Sequence, residues 1–277
     1  MSSIKFTILP APEILKNDVE CFRIAEYSGE EGLAIKVSPG GVPGIVFHQN
    51  NGRSAIENII THSGRVAAPP PLFLYGSGTV PSVMNFKRGS RTTTQVIFKP
   101  HALQTLLGIN ASALTDGWAD LHEFSAEDIQ VQLIEARNEQ ERMTLLTSFL
   151  LARFKQANTR DTLVEESLRF IHQNIGSIHV PSLLEYLNIS ERQFERRFTQ
   201  TVGISPHLYI RVKRFNEAIR LIKTRKFERL TDIAYALNFY DQSHFIRDIK
   251  AFSGITPKIL SQKVDDFHND QAGYSYV

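Results

Sequence analysis

One stretch of this chain repeats itself. Phe194, Arg196, Gly203, Ile204 and Pro206 recur 51 residues later as Phe245, Arg247, Gly254, Ile255 and Pro257, and Ser205 is echoed by Thr256. Ahead of that block the offset is 50, matching Leu183, Leu184, Leu187, Asn188 and Ile189 to Ile233, Ala234, Leu237, Asn238 and Phe239, so the second copy has one additional residue in its turn. Self-similarity at a fixed spacing means one supersecondary unit used twice. Each copy reads as a short apolar helix, a tight turn, and a second helix with basic side chains on its free face, which is the pattern of a helix-turn-helix. A plain helical bundle has no need of the same aromatic, arginine, glycine and proline spacing twice.

The punctuation around the repeat predicts its helices. Asp161 is placed to cap a helix running to Asn174, Pro181 suits the first turn of the next, and Ser190 with Gln193 reads as a capping box for the third. Ser205-Pro206 opens a fourth helix over 206–223, followed by two more at about Thr231–Leu237 and Asp241–Ser253, the last capped by Asp241. The fourth helix joins the copies. Its 18 residues span roughly 27 Å at about 1.5 Å per residue, close to the roughly 34 Å of one DNA turn, so the two second helices are spaced for successive major-groove segments. Position within each helix assigns roles. Phe194 and Phe198 lie one turn apart and face inward, leaving Arg192, Glu195 and Arg196 to the groove; Phe245 and Ile249 do the same for Gln242, Ser243 and Arg247. Arginine reads guanine, glutamine reads adenine, and a glutamate accepts from cytosine N4.

Charge follows this division. Residues 165–263 carry 16 Lys+Arg against 10 Asp+Glu, whereas residues 264–277 carry three Asp and no basic residue. The concentration of positive charge in the repeat fits a partner made of phosphates. With 42% hydrophobic and 22% charged residues the composition is that of an ordinary folded chain. No apolar run reaches the length a membrane helix needs, which predicts no membrane partner and a cytoplasmic location. The single cysteine, Cys21, excludes an intrachain disulfide and reads as a small buried residue.

The first hundred residues have a different texture. Short runs rich in β-branched and aromatic residues, at Ile4–Leu9, Leu33–Val37, Ile45–His48, Ala55–Thr61, Val80–Phe86 and Thr93–Lys99, are separated by clusters such as SPGGVPG and NNG. This is the spacing of a small barrel or sandwich. After Pro100 the pattern turns helical: His101–Leu107 is closed by Gly108, Ser125 caps a second short helix, and Asn138 with Glu141 precedes a long amphipathic one whose stripe is Leu145, Leu146, Phe149, Leu150 and Phe154. The polar segment FKQANTRD (154–161) is the linker. The fold class is therefore α+β, with a β-rich domain over 1–158, an all-α domain over 161–263 holding two units at about 181–201 and 231–253, and an acidic flexible tail at 264–277.

The stretch LTDIAYALNFYDQSHFIRDIKAFSGITPK resembles the signature of the AraC/XylS family of transcription regulators, and SLLEYLNISERQFERRFTQTVGISPHLYIRVKRFNEAIRLI resembles the first half of the same domain. The resemblance covers about residues 165–262. It implies a seven-helix double helix-turn-helix fold, binding to double-stranded promoter DNA, and transcription control, activation more than repression, through contact with RNA polymerase. Carried over by position, its base-reading sites fall on Arg192, Glu195, Arg196, Gln242, Ser243 and Arg247, with Lys250 and Arg211 as phosphate contacts. The chain departs from the family in having Asn188 and Asn238 where glycine is usual and Ile249 where phenylalanine is usual; asparagine is the next most tolerant residue in the left-handed conformation. In the first half, SPGGVPGIVF and QVIFKPHALQTLLGINASALTDGWADL resemble more loosely a domain of unknown function found ahead of this module in many regulators.

Three readings compete for that first half. A sensor of a small-molecule effector would use a barrel mouth lined by Phe47, His48, Tyr75, Asn85 and Phe86. A homodimerisation module would use the stripe Leu145, Leu146, Phe149, Leu150 and Phe154. An enzyme, metal-dependent or alkyl-transferring, would have to use His48, Glu57 and His62, whose spacing fits no ligand motif, or Cys21, which has no motif around it. The expectation is no catalytic residue, no metal and no cofactor.

Overall fold

Turn chemistry and period-two patterning account for the N-terminal strands of this chain, whose computed structural model describes residues 4–50, 53–61, 64, 66–124, 129–156, 160–227, 229–263, 268–270 and 273–276. The strands are β1 (Ile4–Pro10), β2 (Val19–Tyr27), β3 (Leu33–Val37), β4 (Gly44–Gln49), β5 (Ile56–Thr61), β6 (Val66–Ala67), β7 (Leu72–Tyr75), β8 (Ser82–Phe86) and β9 (Arg91–Phe98). Helix α1 (Ala102–Leu107), strand β10 (Trp118–Asp120) and helices α2 (Ile129–Glu135) and α3 (Glu139–Gln156) complete the domain. One sheet runs β1-β2-β9-β4-β7-β10. The expected capping residue Ser125, like His62, lies outside the described residues.

The central strands of that sheet are covered on both sides. Phe22, Ile45, Phe47, Leu72, Leu74, Val96 and Phe98 pack toward the helices, against Leu103, Leu106, Leu133, Leu146, Phe149 and Leu150. Val46 and Phe73, alternating on the same strands, pack toward the second sheet with Ile56, Ile59 and Phe86. Burial on both faces is why β4 and β7 read as continuous apolar runs. The α3 stripe turns inward: Leu146 and Leu150 are fully buried, Phe149 is nearly so, and Leu145 and Phe154 pack against the same core. The stripe named above as a dimer surface is thus spent on the core of its own domain. Asn138 and Glu141 do form the expected capping pair, with the Glu141 N–H donating to Asn138 Oδ1 at 2.9 Å and the Arg137 N–H to Glu141 Oε2 at 2.8 Å.

Among the described residues seven helices follow, as the resemblance implies: α4 (Thr162–Gln173), α5 (Val180–Leu187), α6 (Glu191–Val202), α7 (Pro206–Lys223), α8 (Leu230–Ala236), α9 (Gln242–Ser253) and α10 (Pro257–Lys263). Asp161, Ser205 and Asp241 cap α4, α7 and α9 by accepting backbone N–H groups of Val164, Leu208 and His244. Ser190 sits at the N-cap of α6 but its side chain makes no capping hydrogen bond. Each helix-turn-helix has its own core. Val164, Leu168, Ile171, Leu183, Phe194, Phe198 and Tyr209 form one; Phe215, Ile219, Ile233, Phe245, Ile249 and Phe252 form the other. Helix α7 contributes to both and so fixes one unit relative to the other. No helix of the described residues is long and apolar enough to cross a membrane.

The acidic tail returns to the first domain. Strands β11 (His268–Asp270) and β12 (Gly273–Tyr276) form an antiparallel pair, and β12 adds to β3 with Ser275 opposite Val37 and Tyr276 opposite Lys36, giving a second sheet in the order β11-β12-β3-β8-β5-β6. The C-terminal segment of the chain thereby covers the β3 edge instead of trailing free.

Candidate DNA interface and N-terminal cavity

The inward faces of the two second helices are occupied by aromatics, which forces their polar residues outward. Phe194, Phe198 and Ile249 are fully buried and Phe245 nearly so. Arg192, Glu195 and Arg196 on α6, and Gln242, Ser243, Arg247 and Lys250 on α9, are all exposed. The turns ahead of these helices take the left-handed conformation at Asn188 (φ 49°) and Asn238 (φ 53°), where the family's glycine is usual. The repeated glycines close the helices with positive φ, 94° at Gly203 and 76° at Gly254. Arg211, a phosphate candidate, is engaged with protein: its Nε and Nη2 donate to Asp248 at 3.1 and 2.7 Å, and Asp248 is only 2% exposed. This pair joins α7 to α9 and fixes the orientation of α9.

The N-terminal domain grips the first unit. Ser77 Oγ donates to the Val202 carbonyl at 2.7 Å, at the end of α6, and Thr115 Oγ1 donates to the carbonyl of Gly203. A Cβ on Gly203 would lie 3.0 Å from the Ala111 carbonyl oxygen, so glycine is also what lets the two domains approach. Asn110 and Ser112, from a 3-10 turn of the first domain, line a shallow groove with Arg192, Glu195 and Arg196. On α7, Lys213 Nζ and Asn216 Nδ2 donate to the Gly40 carbonyl at 2.7 and 3.3 Å. At the linker, Arg160 Nη2 donates to both oxygens of buried Asp18 at 2.8 and 2.7 Å, and His101 Nε2 lies 3.2 Å from the same carboxylate. Sequence reasoning missed every one of these contacts. Their partners lie far apart in the chain and no local pattern links them.

Between the two sheets lies a cavity of about 210 Å³ with a mainly apolar wall that includes Val46, Ile59, Phe73, Met84 and Trp118. Of the residues expected to line a pocket, Tyr75 and Phe86 do so. Phe47 alternates to the helical side of its strand and belongs to the main core. His48 is fully buried, with Nδ1 accepting the Ala55 N–H at 3.0 Å, and Asn85 turns the opposite way from Phe86 to donate to Asn58 Oδ1 at 2.8 Å. Two arginines on neighbouring strands, Arg23 and Arg91, line the cavity instead. Each stands in its strand without a motif around it, β9 having Arg91 as its only charged residue, and the sequence singles neither out. The cavity wall also includes Pro39, Gly40, Gly76 and Gly78, the loops whose Gly40 carbonyl and Ser77 hydroxyl hold α7 and α6.

Of the groups named for an enzyme, His48 and Cys21 are buried and His62 lies outside the described residues. Burial pushes the Cys21 thiol up to about 11, with Arg23 pulling down and Glu20 up, so it stays protonated at neutral pH. Among the described residues no three His, Cys, Asp or Glu side chains gather where they could hold a metal ion.

Comparison with known proteins agrees with this architecture. Residues 183–263 match the model of a helix-turn-helix domain, and residues 7–120 match that of a domain of unknown function, DUF6597. The F1 operon positive regulatory protein of Yersinia pestis is 33% identical over 99 residues, which are 34% of this chain and 32% of that one, so the match spans about a third of the relative. The transcriptional activator AarP of Providencia stuartii is 26% identical over 117 residues, 42% of this chain and 85% of that one. Among solved structures, ToxT from Vibrio cholerae O395 aligns with a TM-score of 0.49 at 13% identity, over 88% of this chain and 98% of that one. The similarity to the family of helix-turn-helix domains thus covers the two repeated units, residues 183–263, and that to a family of domains of unknown function covers residues 7–120.

Proposed function

We propose that the chain is a sequence-specific, promoter-binding regulator of transcription, an activator by its likeness to activator relatives, whose N-terminal domain holds a small-molecule effector in its cavity. The observation that carries the DNA reading is the pair of exposed faces, Arg192, Glu195 and Arg196 on α6 and Gln242, Ser243 and Arg247 on α9, at the two ends of one rigid rod. The rod's 18 residues span roughly 27 Å, near the roughly 34 Å of one DNA turn, which supports entry into successive major-groove segments. Each side chain in these faces is a type that reads base edges in the major groove. Lys250, exposed on α9, is the phosphate contact in this reading. Arg211 serves the reading indirectly, by fixing α9 through Asp248. RNA polymerase is the partner through which a bound regulator of this type acts.

The effector reading rests on the wiring of the cavity. Its wall contains the Gly40 loop, bonded to Lys213 and Asn216 on the rod, and the Gly76–Gly78 loop, bonded through Ser77 to the end of α6. A ligand that displaces either loop changes how α6 and α7 are held against the N-terminal domain, and thus how open the α6 face beside Asn110 and Ser112 is to DNA. Selection of bound DNA from a random pool tests the DNA reading. A recurrent asymmetric motif in two blocks about one helical turn apart is the expected result. Recovery of no motif, with binding that only falls with salt, would contradict it.

A further inference from the structure

The additional residue in the second helix-turn-helix is Tyr240. Phe239 answers to Ile189 at an offset of 50, and Asp241, the N-cap of α9, answers to Ser190, the N-cap of α6, at 51, so Tyr240 is the residue without a counterpart. It is 92% exposed, more than any other large hydrophobic residue among those described. The backbone on either side of it is held. Phe239 is buried and meets the rings of Phe245 and His244 edge-on at 5.2 and 5.5 Å, while Asp241 accepts the His244 N–H at 2.6 Å. With one neighbour turned into the core and the other closing the helix, Tyr240 projects into solvent from a fixed place, so a contact made by it costs little further backbone ordering. Tyr186, an exposed tyrosine of the first unit, is different. Its ring stacks on Phe170 with centroids 4.4 Å apart and its hydroxyl donates to Glu166 at 2.9 Å, whereas Tyr240 makes no ring contact and no side-chain hydrogen bond among the described residues.

The place of Tyr240 in its unit supplies the missing partner. The exposed residues of α9 include Gln242, Ser243, Ile246, Arg247 and Lys250, a stripe at steps of three and four, and Tyr240 stands three residues ahead of Ser243, just before the helix begins. The N-terminal residues of a recognition helix are the ones that meet base edges. A helix about 10 to 12 Å across fills a major groove about 12 Å wide. A side chain that leaves the backbone just ahead of that helix therefore meets the wall of the groove, which is sugar and phosphate. We propose that Tyr240 packs its ring on a deoxyribose and donates its hydroxyl to a phosphate beside the DNA block read by α9. Tyrosine suits this wall because the ring covers apolar sugar surface while the hydroxyl reaches a phosphate oxygen. The first unit has no residue at the matching place, so the two blocks are held unequally, the second more firmly.

This contact rests on the DNA reading, and the measurements separate the two. Fluorescence anisotropy of the full chain follows binding to a random-sequence duplex about three helical turns long and to the site recovered by selection. Tyr240→Ala should weaken both about five- to tenfold, because sugar and phosphate are the same in every sequence. Tyr240→Phe, which keeps the ring, should lose about two- to threefold. The loss should be the same at low and high salt, since no charge is removed, and thermal unfolding should not change, since the ring packs on nothing in the chain. Equal duplex binding by Tyr240→Ala and the unaltered chain would overturn this contact alone and leave the ring for a protein partner. A selected motif that changes beside the α9 block in Tyr240→Ala would overturn the backbone assignment in favour of a base. No duplex binding by the unaltered chain would overturn the DNA reading and this contact together.

Discussion

Lys213 Nζ, on the rod between the two DNA-reading units, donates to the Gly40 carbonyl at 2.7 Å, in a loop that walls the N-terminal cavity. Lys213→Met removes this bond while keeping the side-chain stem over Tyr209. It should cost about 1 to 2 kcal/mol without unfolding either domain. Amide hydrogen exchange at residues 38–42 should accelerate, and exchange in the β4 and β9 core should not. Unchanged exchange in the loop would mean that the rod is held by other contacts.

The pair Arg211–Asp248 predicts a different kind of loss. Asp248 is 2% exposed and accepts two bonds from Arg211, with His244 Nε2 a further 3.5 Å contact. Removing one member strands the other. Arg211→Met should destabilise the second unit by about 2 kcal/mol, reduced from the usual cost of breaking a buried pair because Arg211 is partly exposed. Thermal unfolding checks the stability. If Arg211 instead served only phosphates, DNA affinity would fall with no change in stability.

His48 predicts the acid limb of stability. Burial lowers its pKa to about 4 from 6.5, against the opposing pull of the Pro70 carbonyl. Between those values the unfolded chain binds a proton that the folded chain refuses. Its contribution is complete above about pH 6.5 and falls by about 2 to 3 kcal/mol as the pH drops toward 4. His48→Gln should flatten that fall. Urea unfolding at about pH 7 and about pH 4.5 measures it, and equal losses in both proteins would assign the acid limb to other groups.

Asn188 tests the turn. At φ 49° an alanine is strained and should cost about 1 kcal/mol, whereas glycine should fall within about 0.5 kcal/mol of the original. Circular dichroism melts of the two variants distinguish them. A harmless alanine would mean that the turn relaxes.

The repeat made the DNA-binding half legible because caps, aromatics and closing glycines act locally. Asp161, Ser205, Asp241, Gly203 and Gly254 each do in the structure what their position predicts. Helix α10 was not read, since its seven residues are too few to show a period. In the first half, strands that alternate or end in turn clusters were readable, but β2 was not: Glu20, Arg23 and Glu26 interrupt its apolar run although it pairs on both edges. The cavity was half readable. Tyr75 and Phe86 fall on it, but Phe47 and Asn85 lie on the opposite pleat from their lining neighbours Val46 and Phe86, and a one-residue shift reverses every side chain of a strand. The contacts between domains depend on residues up to 176 positions apart and left no local trace.

Helices α6 and α9 are proposed to read two parts of one site. Selection from a random DNA pool with the unaltered chain, Arg196→Ala and Arg247→Ala, at one stated salt concentration, tests it most directly. A two-block motif is expected, with Arg196→Ala relaxing one block and Arg247→Ala the other, each at a cost of about 1 to 3 kcal/mol. A motif altered in the same block by both variants, or weakened uniformly by each, would contradict it.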